Sequence, residues 1–141
     1  MDRGEFEVLR DLPNKEIHGD IVLKRANNSD YLEAEKVLIG NALKVEALMT
    51  VRWNPETDAK TINVHVVGVG PICRLDVDGQ VHPPAGRHHK HSLVLSSCPE
   101  TNLKRGVHDR DDLAGKSIEE VFKEFCRISS IEHNGKLRVM V

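Results

Sequence analysis

The residues with the clearest chemical potential are concentrated in one stretch, where four of the eight histidines fall within residues 82–91. The candidate site residues are Arg74, Asp76, His82, His89, Lys90 and His91. An imidazole exchanges protons near neutral pH, and Arg or Lys can stabilise charge that develops on a phosphate. The set therefore favours cleavage of RNA without a metal: one histidine would take the proton of a 2′-hydroxyl, and another would protonate the leaving 5′-oxygen.

A strand over residues 72–77 would place the first two of these residues together. Side chains alternate along a strand, so Arg74 and Asp76 share one face, and the apolar residues around them share the other. The pattern predicts that Cys73, Leu75 and Val77 enter the core. In a site of this kind Asp76 would orient a histidine or hold its imidazolium.

A second strand, predicted over residues 89–95, would carry the histidines. His89 and His91 then share one face, while His88 and Lys90 share the opposite face. If this strand pairs with the one before it, Arg74 and Asp76 meet one of the two sets. The sequence leaves open which set that is.

Two other interpretations of the histidine-rich stretch remain open. Imidazole and carboxylate groups are common metal ligands, and His-x-His on a strand presents two nitrogens together. The cupin pattern, however, needs a glutamate shortly after His-x-His, and residues 92–95 contain none. The stretch could instead belong to a non-enzymatic binding module, metal-linked or phage-derived. We expect no bound cofactor.

Composition limits the class of protein. A chain of 141 residues is the size of one domain, which we place at residues 1–141. The formal net charge is −2 and aromatic residues make up 4% of the chain. A protein that coats nucleic acid would be more basic, and a base-stacking surface would need more rings. Contact with RNA should therefore be local, and a homodimer is compatible with this size.

The compartment is predicted from what the sequence lacks. No apolar run reaches the length of a membrane helix, and three of the first five residues are charged where a signal peptide would be apolar. Cys73, Cys98 and Cys126 form no Cys-x-x-Cys pair and are interpreted as reduced thiols, at least two of them in the core. We expect a cytoplasmic protein without membrane contact.

Periodicity predicts an α+β fold, an antiparallel sheet with one C-terminal helix packed on it. Alternating residues predict strands at 19–25, 43–53, 61–67 and 137–141, the second and third forming a hairpin. Ser117 and Glu120 form a capping box before an apolar stripe that ends at Ile128. Residues 31–39 favour a second, short helix over a strand, and residues 97–112 favour a surface loop.

The motifs resemble those of a known family. The segments Arg74-Leu75-Asp76, Gly79, His82 and His89-Lys90-His91 are similar to the Arg-x-Asp, His and His-x-His string of TumE-type toxins from bacterial toxin-antitoxin modules. They also resemble a larger bacterial and phage family that has no assigned activity and whose pattern is Arg-Leu-Asp-x-x-Gly-x-x-His followed by His-x-His. The likeness covers about residues 70–130.

The resemblance implies a small ribonuclease-like toxin with an antiparallel sheet and helices. It also implies a partner, a DNA-binding antitoxin that binds and silences the toxin. By position, the motif residues would be Arg74, Asp76, His82, His89 and His91, with Lys90 between the last two.

Overall fold

The computed structural model describes residues 3–27, 29–78, 89–92, 107–109 and 111–140, with the backbone alone for 3, 4, 6, 7, 89–92 and 107–109. The helices are α1 (Arg3–Arg10) and α2 (Ile118–Ile128). The strands are β1 (Lys15–His18), β2 (Ile21–Arg25), β3 (Leu32–Ile39), β4 (Ala47–Trp53), β5 (Lys60–Val66), β6 (Gly70–Val77), β7 (His89–Ser92), β8 (Val107–Asp109), β9 (Ile131–Asn134) and β10 (Leu137–Val139). A 3₁₀ turn, Asp111–Leu113, precedes α2.

The strands form one large sheet and one small sheet. The large sheet has eight strands in the order β10-β2-β3-β4-β5-β6-β7-β8, and every pair in it is antiparallel except β10 with β2. The small sheet pairs β1 with β9 in parallel. The predicted α+β class, with an antiparallel-dominated sheet and a C-terminal helix, is confirmed.

The central hairpin follows from alternation and from its turn. Strands β4 and β5 pair from Ala47 with Val66 to Trp53 with Lys60. In the turn, the side-chain oxygen of Asn54 accepts a hydrogen bond from the backbone N–H of Glu56 at 2.9 Å, a common use of asparagine in turns. The predicted hairpin is therefore confirmed, although β4 begins at residue 47 rather than 43.

The prediction of a short helix over residues 31–39 is wrong, because this segment forms strand β3. It pairs with β4 along most of its length, from Leu32 opposite Trp53 to Ile39 opposite Ala47. A bulge between Ala34 and Val37 interrupts the register, and there Lys36 adopts a φ of 55°. The bulge breaks the strict alternation that would have identified a strand, while pairing with β4 outweighs a weak helical spacing.

The apolar stripe predicted for the C-terminal helix is confirmed in α2. The Ser117 hydroxyl accepts a hydrogen bond from the Glu120 N–H at 3.2 Å and caps the helix. The helix buries Val121, Phe122 and Phe125 among the core residues of the sheet. Cys126 is also buried, and burial raises the pKa of its thiol to about 12. Two core thiols, this one and Cys73, are thus confirmed.

Near each end of the chain the structure contains an element that sequence patterns did not predict. Residues 3–10, for which sequence patterns predict no element, form α1. The predicted closing strand is confirmed as β10, and β9, which was not predicted, precedes it. Within the predicted surface loop 97–112, residues 107–109 form strand β8, so the loop prediction is wrong for those residues, and the 3₁₀ turn begins at residue 111. Among the described residues, no helix is long and apolar enough to cross a membrane.

Candidate active site on the polar face of the sheet

Strand β6 has the predicted alternation. Leu75 and Val77 are fully buried and Cys73 is 6% exposed, so these residues form part of the core face. Arg74 and Asp76 lie on the opposite face, which we call the polar face. Asp76 is nevertheless buried, because it is only 5% exposed.

Strand β7, which carries His89 and His91, pairs with β6 and so lies beside Arg74 and Asp76. Arg74 pairs with His91 and Asp76 pairs with His89 in an antiparallel ladder. Directly paired positions in such a ladder belong to the same face of the sheet. The structure thus selects His89 and His91 as the histidine pair on the polar face, which the sequence had left open.

Of the other predicted site residues, the register places Lys90, whereas His82 lies outside the described part of the chain. Lys90 pairs with Leu75, a residue of the core face, so its position lies on the other side of the sheet. The inclusion of Lys90 beside the two histidines is therefore not supported by the register. His82 and His88 lie outside the described residues, as does the connection 79–88.

The carboxylate of Asp76 binds Arg74 and Thr61. The Arg74 Nε lies 3.1 Å from Asp76 Oδ1 and 3.0 Å from Oδ2. The Thr61 hydroxyl donates a further hydrogen bond of 2.8 Å to Oδ1. The Arg74 side chain is 43% exposed and that of Asp76 is 7% exposed, so a buried carboxylate holds a guanidinium that still reaches solvent. Among the side chains that the structure describes, Asp76 orients the arginine, and its expected contact with a histidine stays a prediction.

Strand β5 contributes residues that sequence reasoning did not assign to the site. Thr61 pairs with Asp76, and Asn63 pairs with Arg74, so both belong to the polar face. Asn63 Oδ1 is buried and accepts no hydrogen bond from any described residue. The alternation of Thr61, Asn63 and His65 along β5 was the available signal. It could be used only once the register between β5 and β6 was known.

Strand β8 adds the position of one aspartate, Asp109, to the polar face. Asp109 pairs with His89, which pairs on its other side with Asp76. His89 therefore occupies a position between two aspartates on the same face. Asp109 was predicted to lie in a solvated loop, because the pattern Val-His-Asp is too short to indicate a strand.

A buried lysine fixes the end of β6. Lys60, whose side chain is fully buried, donates a hydrogen bond of 2.9 Å to the backbone carbonyl of Asp58, and its Nζ lies 3.0 Å from the Asp58 carboxylate. It also lies 2.9 Å from Asp78 Oδ2, which accepts a hydrogen bond of 3.2 Å from the Gly115 N–H. Asp78 is the last described residue before the connection that carries His82, so this cluster holds the start of that connection.

The donor set on the polar face is also that of a metal site. Carboxylate and imidazole groups are the ligands that Zn²⁺ and similar cations use. Among the side chains that the structure describes, no three His, Cys, Asp or Glu residues are grouped as a metal site. The register nevertheless gathers the positions of Asp76, His89, His91 and Asp109.

Comparison with protein-family models, curated proteins and solved structures gives no match. The resemblance to the toxin family therefore still depends on the Arg-x-Asp, His and His-x-His residues alone. The chemistry of the polar face is what supports a function.

Proposed function

We propose that the protein is an endoribonuclease that cleaves RNA without a metal, with His89 and His91 as its acid-base groups. The observation that carries this proposal is the register of β6 with β7, which pairs Arg74 with His91 and Asp76 with His89. Two proton-transferring groups and a cation are thereby assigned to one face of the sheet.

The spacing of the two histidines suits a single phosphate. Residues i and i+2 of a strand lie about 7 Å apart, since the rise is about 3.3 Å per residue. Imidazoles at that distance can flank a phosphate whose negative oxygens face the Arg74 guanidinium. The arginine would then stabilise charge on the phosphorane, while Asp76 and Thr61 hold its orientation.

The two histidines have different neighbours, which assigns their roles. A carboxylate beside an imidazole stabilises the imidazolium that a general acid needs. His89 lies between two aspartate positions and acts as the acid, donating a proton to the leaving 5′-oxygen. His91 acts as the base and removes the 2′-hydroxyl proton, so that the 2′-oxygen attacks phosphorus and a 2′,3′-cyclic phosphate forms. His82 is a further candidate for either role.

The biological setting belongs to the same proposal. We place the protein in the cytoplasm, where RNA is available, and infer that a DNA-binding antitoxin inhibits it. The formal net charge of −2 supports a local contact with RNA rather than an extended basic surface. A homodimer is compatible with the proposal.

The test is cleavage of RNA by the purified protein in EDTA. Activity should survive the chelator and show a bell-shaped pH profile near neutrality, because one imidazole must be protonated and the other neutral. His91→Ala should lower the rate by about 10²-fold or more and change stability by only about 0.5 to 1 kcal/mol. His18→Ala, at an exposed histidine of β1, is the matched control and should cleave normally.

A second function is favoured by one observation, the position of His89 between Asp76 and Asp109. These residues and His91 form a donor set that fits a divalent cation. A metal-linked binding module would therefore use the same face. Cleavage that EDTA abolishes and Zn²⁺ or Mn²⁺ restores would indicate a metal-dependent enzyme instead. Binding of Zn²⁺ without any cleavage would favour the binding module.

A further inference from the structure

Strand β4 places a second arginine on the polar face. Arg52 pairs with Thr61 of β5, and Thr61 pairs in turn with Asp76 of β6, so the three positions form one row across the sheet. Directly paired positions of antiparallel strands belong to the same face. The Arg52 side chain is 45% exposed, much as that of Arg74 is 43% exposed. The polar face thus presents two guanidinium groups that reach solvent.

Each of these guanidinium groups is held by a carboxylate at the same nitrogen. Arg52 Nε lies 3.1 Å from Glu33 Oε2. Arg74 Nε lies 3.0 Å from Asp76 Oδ2. The guanidinium carbon of Arg52 also lies 4.8 Å from the centre of the Tyr31 ring, a cation–π contact that holds the group further. Within the described part of the chain the terminal nitrogens of both arginines make no hydrogen bond, so these donors are available to a ligand.

The two arginines are too far apart to serve one phosphate. Strands β4 and β6 lie on either side of β5, and neighbouring strands are about 4.8 Å apart, so the two positions are separated by about 10 Å across the sheet. A ligand that extends from Arg74 to Arg52 crosses β5 at Thr61 and Asn63, which are uncharged and half-buried. Because each guanidinium is held by its own carboxylate, the two bind separate anionic groups.

The chemistry of the two groups identifies the class of ligand. A planar guanidinium binds a phosphate through parallel hydrogen bonds, a geometry that its terminal donors provide. The phosphates of a nucleoside diphosphate share an oxygen and lie too close together to meet both arginines. Phosphates that are separated by a nucleoside, as in a polynucleotide, fit the wider spacing.

We propose that Arg52 binds a second phosphate of the RNA substrate, at least one nucleotide away from the phosphate at Arg74. The substrate is then a chain of several nucleotides that lies across β4, β5 and β6. This inference rests on the proposed function, in which Arg74 faces the phosphate that is cleaved. It adds that a dinucleotide, which has one phosphate between its nucleosides, cannot use the contact with Arg52.

Binding of a fluorescent hexamer of 2′-O-methyluridine to the full chain tests the second site separately from cleavage, because this probe has no free 2′-hydroxyl to act as nucleophile. Arg52→Gln should weaken binding by at least tenfold. It should also reduce the slope of log K against log salt concentration by about 0.7, the value for one phosphate contact on a single strand. Arg52→Lys retains the charge beside Glu33 and should recover most of the slope, which excludes misfolding as the cause.

Arg127→Gln is the matched control for the binding measurement. Arg127 is an exposed arginine that pairs with the carboxylate of Glu124, but it lies on α2, which packs against the core face. Its substitution should change neither the affinity nor the slope. Equal affinity and slope for Arg52→Gln and the natural chain, or no binding of the hexamer, would overturn the inference.

Cleavage of a short and a long RNA separates this inference from the proposed function. Arg52→Gln should cut the dinucleotide UpU at the natural rate and should lose about tenfold in kcat/KM on a uridine hexamer. Equal losses on both substrates, or none on the hexamer, would overturn the second phosphate site while leaving the endoribonuclease in place. If the natural chain cuts neither RNA but binds the probe through Arg52, the endoribonuclease fails and the second phosphate site stands.

Discussion

At the scale of single residues, the buried Asp76 carboxylate organises the polar face. It receives hydrogen bonds from the Thr61 hydroxyl and from Arg74 Nε, and its own side chain is almost inaccessible. Such bonds to a charged acceptor are stronger than neutral ones, and they fix the side chains that make them. The orientation of the Arg74 guanidinium is therefore set by Asp76, which Thr61 holds in turn.

Thr61→Val tests this positioning. Valine keeps the shape and the strand preference but removes the donor to Asp76, so we expect a stability loss of about 1.5 to 3 kcal/mol in chemical denaturation. We also expect RNA cleavage to fall by about tenfold, as Arg74 loses its fixed orientation. Thr50→Val is the matched control: Thr50 lies on β4 opposite Asn63 and makes no side-chain hydrogen bond with the described part of the chain. Equal effects of the two substitutions would disprove the positioning role.

At the scale of secondary structure, the two ends of the chain are joined by a pair of stacked bends. The bend between β1 and β2 lies on the bend between β9 and β10, with Glu16 opposite Glu132 and Ile21 opposite Leu137. The Gly19 N–H donates to the Asn134 carbonyl at 2.9 Å. These contacts connect the small sheet to the edge of the large sheet and hold α2 against the core.

Gly135 permits the close approach of the two bends. A Cβ added there would overlap the carbonyl group of Gly19 and stand 3.0 Å from the Asp20 nitrogen, and these are backbone atoms that cannot rotate away. Gly135→Ala should therefore lower the free energy of unfolding by about 3 kcal/mol. Gly40→Ala is the control, since its Cβ would stand 3.7 Å from the Glu16 carbonyl oxygen, an ordinary contact. Thermal unfolding of Gly135→Ala at the temperature of the natural chain would refute this account.

Asp20 makes the stacked bends sensitive to acid. Its carboxylate accepts a hydrogen bond of 2.9 Å from the Lys136 N–H and lies 2.7 Å from the Arg138 guanidinium. The backbone hydrogen bond, aided by Arg138, lowers the pKa of Asp20 below its ordinary value of 3.8. A lowered pKa in the folded state stabilises the fold above the unfolded pKa, and this contribution is lost as the pH falls through the folded pKa.

Asp20 should make the free energy of unfolding fall more steeply as the pH is lowered. Between about pH 4 and pH 2 the natural chain should lose stability more steeply than Asp20→Asn, because the variant has no charge to lose there. Denaturant unfolding at a series of pH values measures the two slopes. Asp30→Asn, at an exposed aspartate remote from the bends, should retain the slope of the natural chain. Identical slopes for the Asp20 variant and the natural chain would contradict the prediction.

At the scale of the whole molecule, local sequence patterns predicted most of the helices and strands. Pairing between strands that are distant in the sequence determined which residues share the candidate site. Alternation identified the faces of β6 and the central hairpin, and the capping box identified α2. Pairing between distant segments could not be derived from those patterns. Asp109 was therefore predicted as a loop residue, and β3 was predicted as a helix because its bulge disrupts the alternation. The parallel contacts of β9 and β10 join segments that are more than 100 residues apart.

The large sheet has two chemically different faces. Its core face packs against α2, while its polar face gathers the positions of Arg74, Asp76, His89 and His91. Because neighbouring residues of β6 alternate between these faces, Cys73 lies in the core and Arg74 on the polar face.

The most direct measurement for the central claim uses an RNA oligonucleotide and a copy with 2′-deoxy residues, each incubated with the protein in EDTA. The acid-base mechanism requires the 2′-hydroxyl as nucleophile. We predict that the RNA is cut, that its 5′ fragment ends in a 2′,3′-cyclic phosphate, and that the deoxy copy stays intact. Cleavage of both oligonucleotides, or of neither, would contradict the proposal that His89 and His91 cleave RNA by this route.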